Sequence, residues 1–81
     1  MYFVYILKSQ ISGKYYYGSS EVPEDRLEKE HNKGKVKATK SGLPWILIYK
    51  EEFLTRSEAY QREQYFKTWA GRRWLKSKGI T

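Results

Sequence analysis

The sequence predicts an α+β fold: a three-stranded antiparallel sheet with flanking helices, in the order β-β-α-β-α-α. Three observations carry that expectation. Tyr2–Leu7 (YFVYIL) and Trp45–Tyr49 (WILIY) are unbroken aromatic and β-branched runs of strand length. Thr55-Arg56-Ser57-Glu58 is a capping box, with Thr as N-cap and Glu placed to reach back, so it opens a helix. Pro23 followed by Glu24 and Asp25 has the make-up of a helix first turn, where a missing amide hydrogen is harmless and acids meet the positive end of the dipole.

Taken in order, Tyr2–Leu7 has the composition of a strand buried on both faces. Lys8–Lys14 is polar with one glycine and reads as a turn, after which Tyr15-Tyr16-Tyr17-Gly18 returns antiparallel. A turn near Gln10–Ile11 sets Tyr5 directly opposite Tyr16, with Cβ atoms about 4.5–5.5 Å apart. The helix from Pro23 is expected to run to about Asn32, where Gly34 supplies a left-handed stop. Leu27 is its one large apolar residue, with His31 one turn further along the same stripe, so it is weak alone. Gly34–Pro44 is a basic loop, and Trp45–Tyr49, apolar throughout, is expected at the centre of the sheet. The helix opened by Thr55 is expected to reach Ala70 and break at Gly71, leaving Arg72–Lys78 as a last short helix that Gly79 ends.

At 81 residues and 9.7 kDa the chain is expected to form one domain, residues 1–81. Its core is small, and the aromatic content of 17% compensates because each ring buries more area than an aliphatic side chain. The absence of cysteine excludes a disulfide framework, a zinc knuckle and a cysteine nucleophile. One histidine, His31, excludes multi-histidine metal centres. The longest apolar run, Met1–Leu7, is far short of the roughly 20 residues of a membrane span and lacks the flanks of a signal peptide. The expectation is a soluble cytoplasmic protein with no membrane partner.

Sixteen Lys and Arg against nine Asp and Glu give a net charge of +7. Such a field concentrates polyanions, so nucleic acid is the leading partner class; a mere solubilising charge is the bland reading. The charges are also segregated. Lys33, Lys35, Lys37 and Lys40 fill one acid-free stretch, and Lys67, Arg72, Arg73, Lys76 and Lys78 a second, interleaved with Trp69 and Trp74. The acids lie in Glu21–Glu30 and Glu51–Glu63. This pattern suits a phosphate track, with Lys35, Lys37, Lys40, Lys67, Arg72 and Arg73 as the expected nucleic-acid contacts.

Several residues now fall into a recognisable order. Phe3-Val4-Tyr5 and Tyr16-Tyr17-Gly18 place Tyr5 and Tyr16 eleven residues apart, and Arg26 follows Gly18 by eight. Lys40-Ser41-Gly42-Leu43-Pro44-Trp45 with Tyr49, then Ala59-Tyr60-Gln61-Arg62-Glu63 with Lys67, complete the series. No one of these motifs is specific, but together, over nearly the whole chain, the sequence resembles the GIY-YIG endonuclease superfamily and its small single-domain members. Two positions depart from the family pattern. Phe3 stands at the place of the first glycine, and the histidine common four residues after the arginine is replaced by Glu30, with His31 at the fifth. On an ideal helix that slip turns the side chain by about 140° rather than about 40°. His31 faces the site only where the helix bulges or unwinds before Asn32.

The resemblance implies metal-dependent hydrolysis of phosphodiester bonds, in DNA ahead of RNA and in structured repair or recombination intermediates. One Mg²⁺ or Mn²⁺ ion would be held by Glu63, and Arg26 would clamp a nonbridging phosphate oxygen. Water would be the nucleophile and Tyr5 the favoured general base, supported by Tyr16 and His31, with a nearby cation lowering its pKa. Each residue also has an ordinary reading. Strand tyrosines pack, Arg26 pairs with Glu30, and His31 complements a helix dipole. Glu63 stands at the edge of a stripe formed by Ala59, Phe66 and Ala70, and its bland partner is Lys67. Two competing functions follow. One is a nucleic-acid-binding module on the same fold with weak or lost cleavage. The other is a docking domain that uses Trp45, Trp69 or Trp74. The larger members attach a separate DNA-binding domain that is not present in these residues, so weak intrinsic sequence preference is expected unless a protein partner supplies targeting.

Overall fold

The computed structural model describes residues 1–81. Strands β1 (Tyr2–Ser9), β2 (Tyr15–Ser20) and β3 (Trp45–Phe53) form one antiparallel sheet in the order β2-β1-β3. The α+β class, the three strands and their order relative to the helices agree with the sequence reading. The central strand is β1, and Val4, Tyr5, Ile6 and Leu7 are all fully buried, which is why that run is apolar at every position.

The third strand lies at an edge, not at the centre as expected. Its apolar run has another cause: a bulge. Ile6 pairs with Tyr49 but Leu7 with Leu47, so Ile48 is an extra residue. Ile48 and Tyr49, though consecutive, both pack with the Val4–Ile6 cluster, while Leu47 packs with Tyr5 and Leu7. The bulge makes successive residues apolar without sheet on both sides.

The hairpin register also differs from expectation. Tyr5 opposes Gly18 and Tyr16 opposes Leu7. The turn is longer by two residues: the Ser9 amide donates to the Lys14 carbonyl at 2.9 Å, Gly13 takes φ +74°, and Ser9 Oγ accepts from the amides of Ile11 and Ser12. Because the shift is even, Tyr5 and Tyr16 keep a common face as diagonal neighbours, with ring centroids 6.4 Å apart.

The two faces of β1 are covered differently. Val4 and Ile6 meet Phe66 and Leu75 from helices α2 (Arg56–Phe66) and α3 (Trp69–Ser77). Tyr5 and Leu7 meet Trp45, Leu27 and Leu43. Helix α1 (Pro23–Arg26) is a single turn that widens into a π-helical turn, Leu27–His31, before Gly34 ends it at φ +75°. The basic loop contains a 3-10 helix, Lys37–Gly42.

The expected helix to Ala70 is in fact two. Helix α2 stops at Phe66, and Thr68 caps α3, its Oγ1 accepting from the Gly71 amide at 3.1 Å. Gly71 lies inside α3 and breaks nothing. A Cβ there would collide with the Tyr65 carbonyl, so glycine lets the start of α3 press against the end of α2. Thr55 caps α2 as expected, accepting from the Glu58 amide at 3.2 Å, but the Glu58 carboxylate accepts the Thr55 hydroxyl proton at 3.0 Å. Of the three tryptophans offered for docking, Trp45 is buried and Trp74 stacks on Phe66. Trp69 alone is open, at 76% exposure. No helix is long and apolar enough to cross a membrane.

Candidate active site

The site is assembled around the hydroxyl of Tyr5. Its ring can lean over β2 because Gly18, directly opposite, has no side chain. A Cβ there would lie 2.6 Å from the Tyr5 hydroxyl and 3.0 Å from the Tyr16 ring. The hydroxyl sits between Arg26 Nε at 3.1 Å and His31 Nε2 at 2.9 Å. His31 Nδ1 lies 2.9 Å from Thr39 Oγ1, and Thr39 Oγ1 lies 3.2 Å from the Val36 carbonyl.

Elementary donor counting assigns the protons of this chain. A guanidinium only donates, so Arg26 gives its Nε hydrogen to Tyr5. The single phenol proton then goes to His31 Nε2. A neutral imidazole has its remaining hydrogen on Nδ1, which goes to Thr39, and the threonine hydroxyl donates to Val36. The whole run is satisfied, and no buried side-chain polar atom in the protein lacks a partner. Burial and the charge of Arg26 lower the pKa of His31, with Glu30 pulling the other way, so the ring is neutral at neutral pH.

The placement of His31 depends on the π-helical turn. The Asn32 amide donates to the Leu27 carbonyl five residues back, at 2.8 Å, and the Lys35 amide to Glu30 at 2.9 Å. In this wider turn the fifth residue after Arg26 comes round to face Tyr5, which an ideal helix would not allow. Asn32 then fixes the turn to β3 with two hydrogen bonds to the Trp45 backbone, at 2.7 and 3.0 Å. Trp45 Nε1 donates to the Thr39 carbonyl at 2.7 Å, and Ser9 Oγ to that of Gly42 at 2.6 Å. The Thr39 that orients His31 is thus itself held by the sheet.

Tyr16 stands half-buried against His31, ring centroids 4.9 Å apart, and its hydroxyl bonds to no protein group. Tyr5, by contrast, is fully buried, and the expected lowering of its pKa is not what its surroundings produce. Burial, Tyr16 and Glu63 raise it, and they outweigh Arg26, so Tyr5 is a neutral phenol far into the alkaline range. Arg26 Nη1 is also 3.4 Å from both Glu30 carboxylate oxygens, the pairing that the spacing suggested.

Of the five residues expected at the centre, Tyr5, Tyr16, Arg26 and His31 come together. Glu63 stands apart on α2. It bonds to neither Tyr5 nor Arg26, but its charge reaches Tyr5. Its carboxylate, 12% exposed, accepts from Lys67 Nζ at 2.9 Å. One turn before it on the same side of α2, Ala59 lines a cleft of about 480 Å³ together with Arg26, Tyr2, Ser20 and Arg56. Arg26 therefore borders this cleft from α1, and α2 borders it from the other side. No cluster of three His, Cys, Asp or Glu side chains exists for a metal. A lone carboxylate suits a hard cation such as Mg²⁺, which keeps several waters and binds through one or two carboxylates plus phosphate.

Lys35, Lys37 and Lys40 are exposed beside Thr39, and Arg72 and Arg73 are exposed on α3; none of the five is in an ion pair. Lys67 is exposed but tied to Glu63. Sequence reasoning missed Thr39, Asn32 and the space that Gly18 clears for Tyr5. For Thr39 there was no signal, since its partner lies eight residues away across an irregular segment.

Tyrosines, an arginine and a histidine thus gather on one face of a small α+β sheet, and comparison with family models places the chain among nuclease-type catalytic domains. The chain belongs to the GIY-YIG family: the family model of the GIY-YIG catalytic domain matches residues 1–77. It is 37% identical over 75 residues to a UPF0213 protein of Staphylococcus saprophyticus, covering 93% of this chain and 90% of that one. It is 40% identical over 76 residues to a UPF0213 protein of Staphylococcus aureus, with the same coverage of 93% and 90%. No solved structure matches the chain.

Proposed function

We propose that the protein is a divalent-metal-dependent endonuclease that hydrolyses phosphodiester bonds in DNA, with structured repair or recombination intermediates as its substrates. The observation that carries this reading is the Tyr5 hydroxyl held between a guanidinium and a neutral imidazole, with that guanidinium also bordering an open cleft. In the proposed reaction Arg26 leaves Tyr5 to clamp a nonbridging phosphate oxygen, and its departure opens the buried hydroxyl to water. The water oxygen attacks phosphorus. Its proton passes to the Tyr5 oxygen as the phenol proton passes to His31 Nε2, so no free phenolate is needed. The bond from phosphorus to the leaving sugar oxygen breaks, and that oxygen takes a proton from solvent. Glu63, once Lys67 yields it, would hold a Mg²⁺ or Mn²⁺ ion that supplies positive charge at the phosphate. Tyr16 walls the other side of His31 and keeps the ring in place.

The test is a panel of structured and linear DNA and RNA substrates with Mg²⁺ or Mn²⁺, repeated with chelator. Cleavage that chelator abolishes and Glu63→Gln removes, with binding retained, is the expected result. A second reading, binding without cleavage, draws on the Glu63–Lys67 pair and the full burial of Tyr5. Metal-independent binding with no cut in any substrate would establish that reading instead.

A further inference from the structure

A second basic site lies at the start of β2, where Lys14, Arg72 and Lys76 surround a hollow of about 550 Å³ floored by Tyr15 and Tyr17. Arg72 and Lys76 are one turn apart on α3 and so project together, and Lys14 meets them from the hairpin. None of the three pairs with an acid, and no Asp or Glu lines the hollow. Lys8 adds a fourth unpaired cation, 5.7 Å from the Tyr15 ring centroid. Thr81 completes the lining. Three cations facing one another with no acidic side chain among them repel, and an occupant with spaced negative charges relieves that repulsion. Half-exposed tyrosine rings between them suit the sugars or bases of the same occupant.

The hollow lies on the face of the sheet opposite Tyr5 and shares the β2 edge with the candidate active site. Tyr17 packs on Phe66, one turn from Glu63, and the next residue along β2 is Gly18, over which Tyr5 leans. Lys14 and Gly18 are four residues apart, roughly 13 Å along an extended strand. Lys14 borders a further hollow on the opposite side, with Tyr16 and Ser41, so it straddles the sheet edge. We propose that the Lys14–Arg72–Lys76 hollow binds the nucleic-acid backbone a few nucleotides from the scissile phosphate, so that the strand lies along the β2 edge and enters the active site over Gly18. The occupant is a phosphodiester chain. The proposal rests on the nuclease reading only in taking the bound strand to be the one that is cut.

The experiment is fluorescence anisotropy in chelator, with a labelled single-stranded oligonucleotide and a labelled hairpin duplex, over a salt series. The Lys14→Ala/Lys76→Ala protein is compared with wild type and with a charge-matched control, Lys29→Ala/Lys50→Ala, whose lysines are tied to Asp25 and Glu24. Melting temperature confirms that each is folded. Loss of two phosphate contacts flattens the slope of log affinity against log salt by about 1.8 for the duplex and about 1.4 for the single strand, and the control changes it by much less. Equal effects of the two variants, or no oligonucleotide binding by wild type, would overturn the proposal. So would binding to phosphatidylserine vesicles through these lysines in place of oligonucleotides. If wild type then cuts nothing with Mg²⁺ yet the slopes differ as expected, the nuclease reading falls and the hollow stands. If it cuts DNA and the slopes match the control, the hollow falls and the nuclease reading stands.

Discussion

At the scale of residues, the chemistry turns on where one proton sits. His31 Nε2 accepts from Tyr5 only while its hydrogen is on Nδ1, and Thr39 holds it there. Thr39→Val keeps the side-chain shape but leaves the Nδ1 hydrogen of His31 without an acceptor, while the Val36 carbonyl keeps the backbone amide of residue 39. Turning the hydrogen to Nε2 would strand the Tyr5 phenol proton, because Arg26 only donates to that oxygen, so the ring loses its anchor instead. The expected outcome is a shift of the His31 signals in its ¹⁵N spectrum, weaker cleavage, and a stability decrease of about 1–3 kcal/mol. Thr39→Ser should restore the first two. Tyr5→Phe separates base from scaffold, because Phe preserves nearly all the buried area. Cleavage should fall about 10²–10⁴-fold with folding and binding kept. Wild-type rates in Tyr5→Phe beside a dead Tyr16→Phe would assign the base to Tyr16, whose hydroxyl is the freer of the two.

Elements decide what those residues can reach. The π-helical turn is the device that lets a histidine one position off the family spacing face Tyr5, and it is held by Asn32 on the Trp45 backbone. On the other face, α2 and α3 meet through Gly71, and its lack of a Cβ sets how closely they meet. Gly71→Ala must push the two helices apart or bend one of them. Overpacking of this kind costs about 1–3 kcal/mol, and for a domain of this size each kcal/mol lowers Tm by about 4–8 °C. A calorimetric Tm within a degree of wild type would show that the helix junction is not close-packed. Gly18→Ala acts differently: its Cβ meets a side chain rather than backbone, so Tyr5 shifts its hydroxyl and cleavage should fall more than stability.

For the whole molecule, burial of a neutral imidazole links stability to pH. The pKa of His31 is lowered from its unfolded value of 6.5, so below about that pH the unfolded chain takes up a proton that the folded one refuses. Stability is therefore intact above the unfolded pKa and declines as pH falls through it toward the lower folded value. Urea midpoints measured from about pH 8 to about pH 5 should show this decline, and His31→Gln should remove it. A wild-type midpoint that stays flat over that range would mean that the folded ring takes up its proton at the same pH as the unfolded one. Charge acts at the same scale. Five of the sixteen cations are in ion pairs, which leaves eleven free on a very small surface.

Short-range physics made much of this legible. Continuous apolar runs, the Thr55 cap and the Pro23 turn fixed the element order, because each signal is read within a few residues. Gly34 and Gly79 marked left-handed positions for the same reason. The pairing of Tyr5 and Tyr16 on one face survived a wrong register, since a slip of two preserves facing. What lay beyond the sequence depended on contacts between distant segments. An edge strand with a bulge looks like a central one, because both are apolar at consecutive positions. Gly71 looks like a helix breaker until the neighbouring helix end is seen against it. His31 looks turned away until the π-helical turn, stabilised through Asn32 and Trp45, brings it round. Sequence alone determined which chemical groups are present and which elements carry them. The tertiary structure decided which groups touch and where their protons lie, because hydrogen-bond partners are selected by distance in space and not by spacing along the chain.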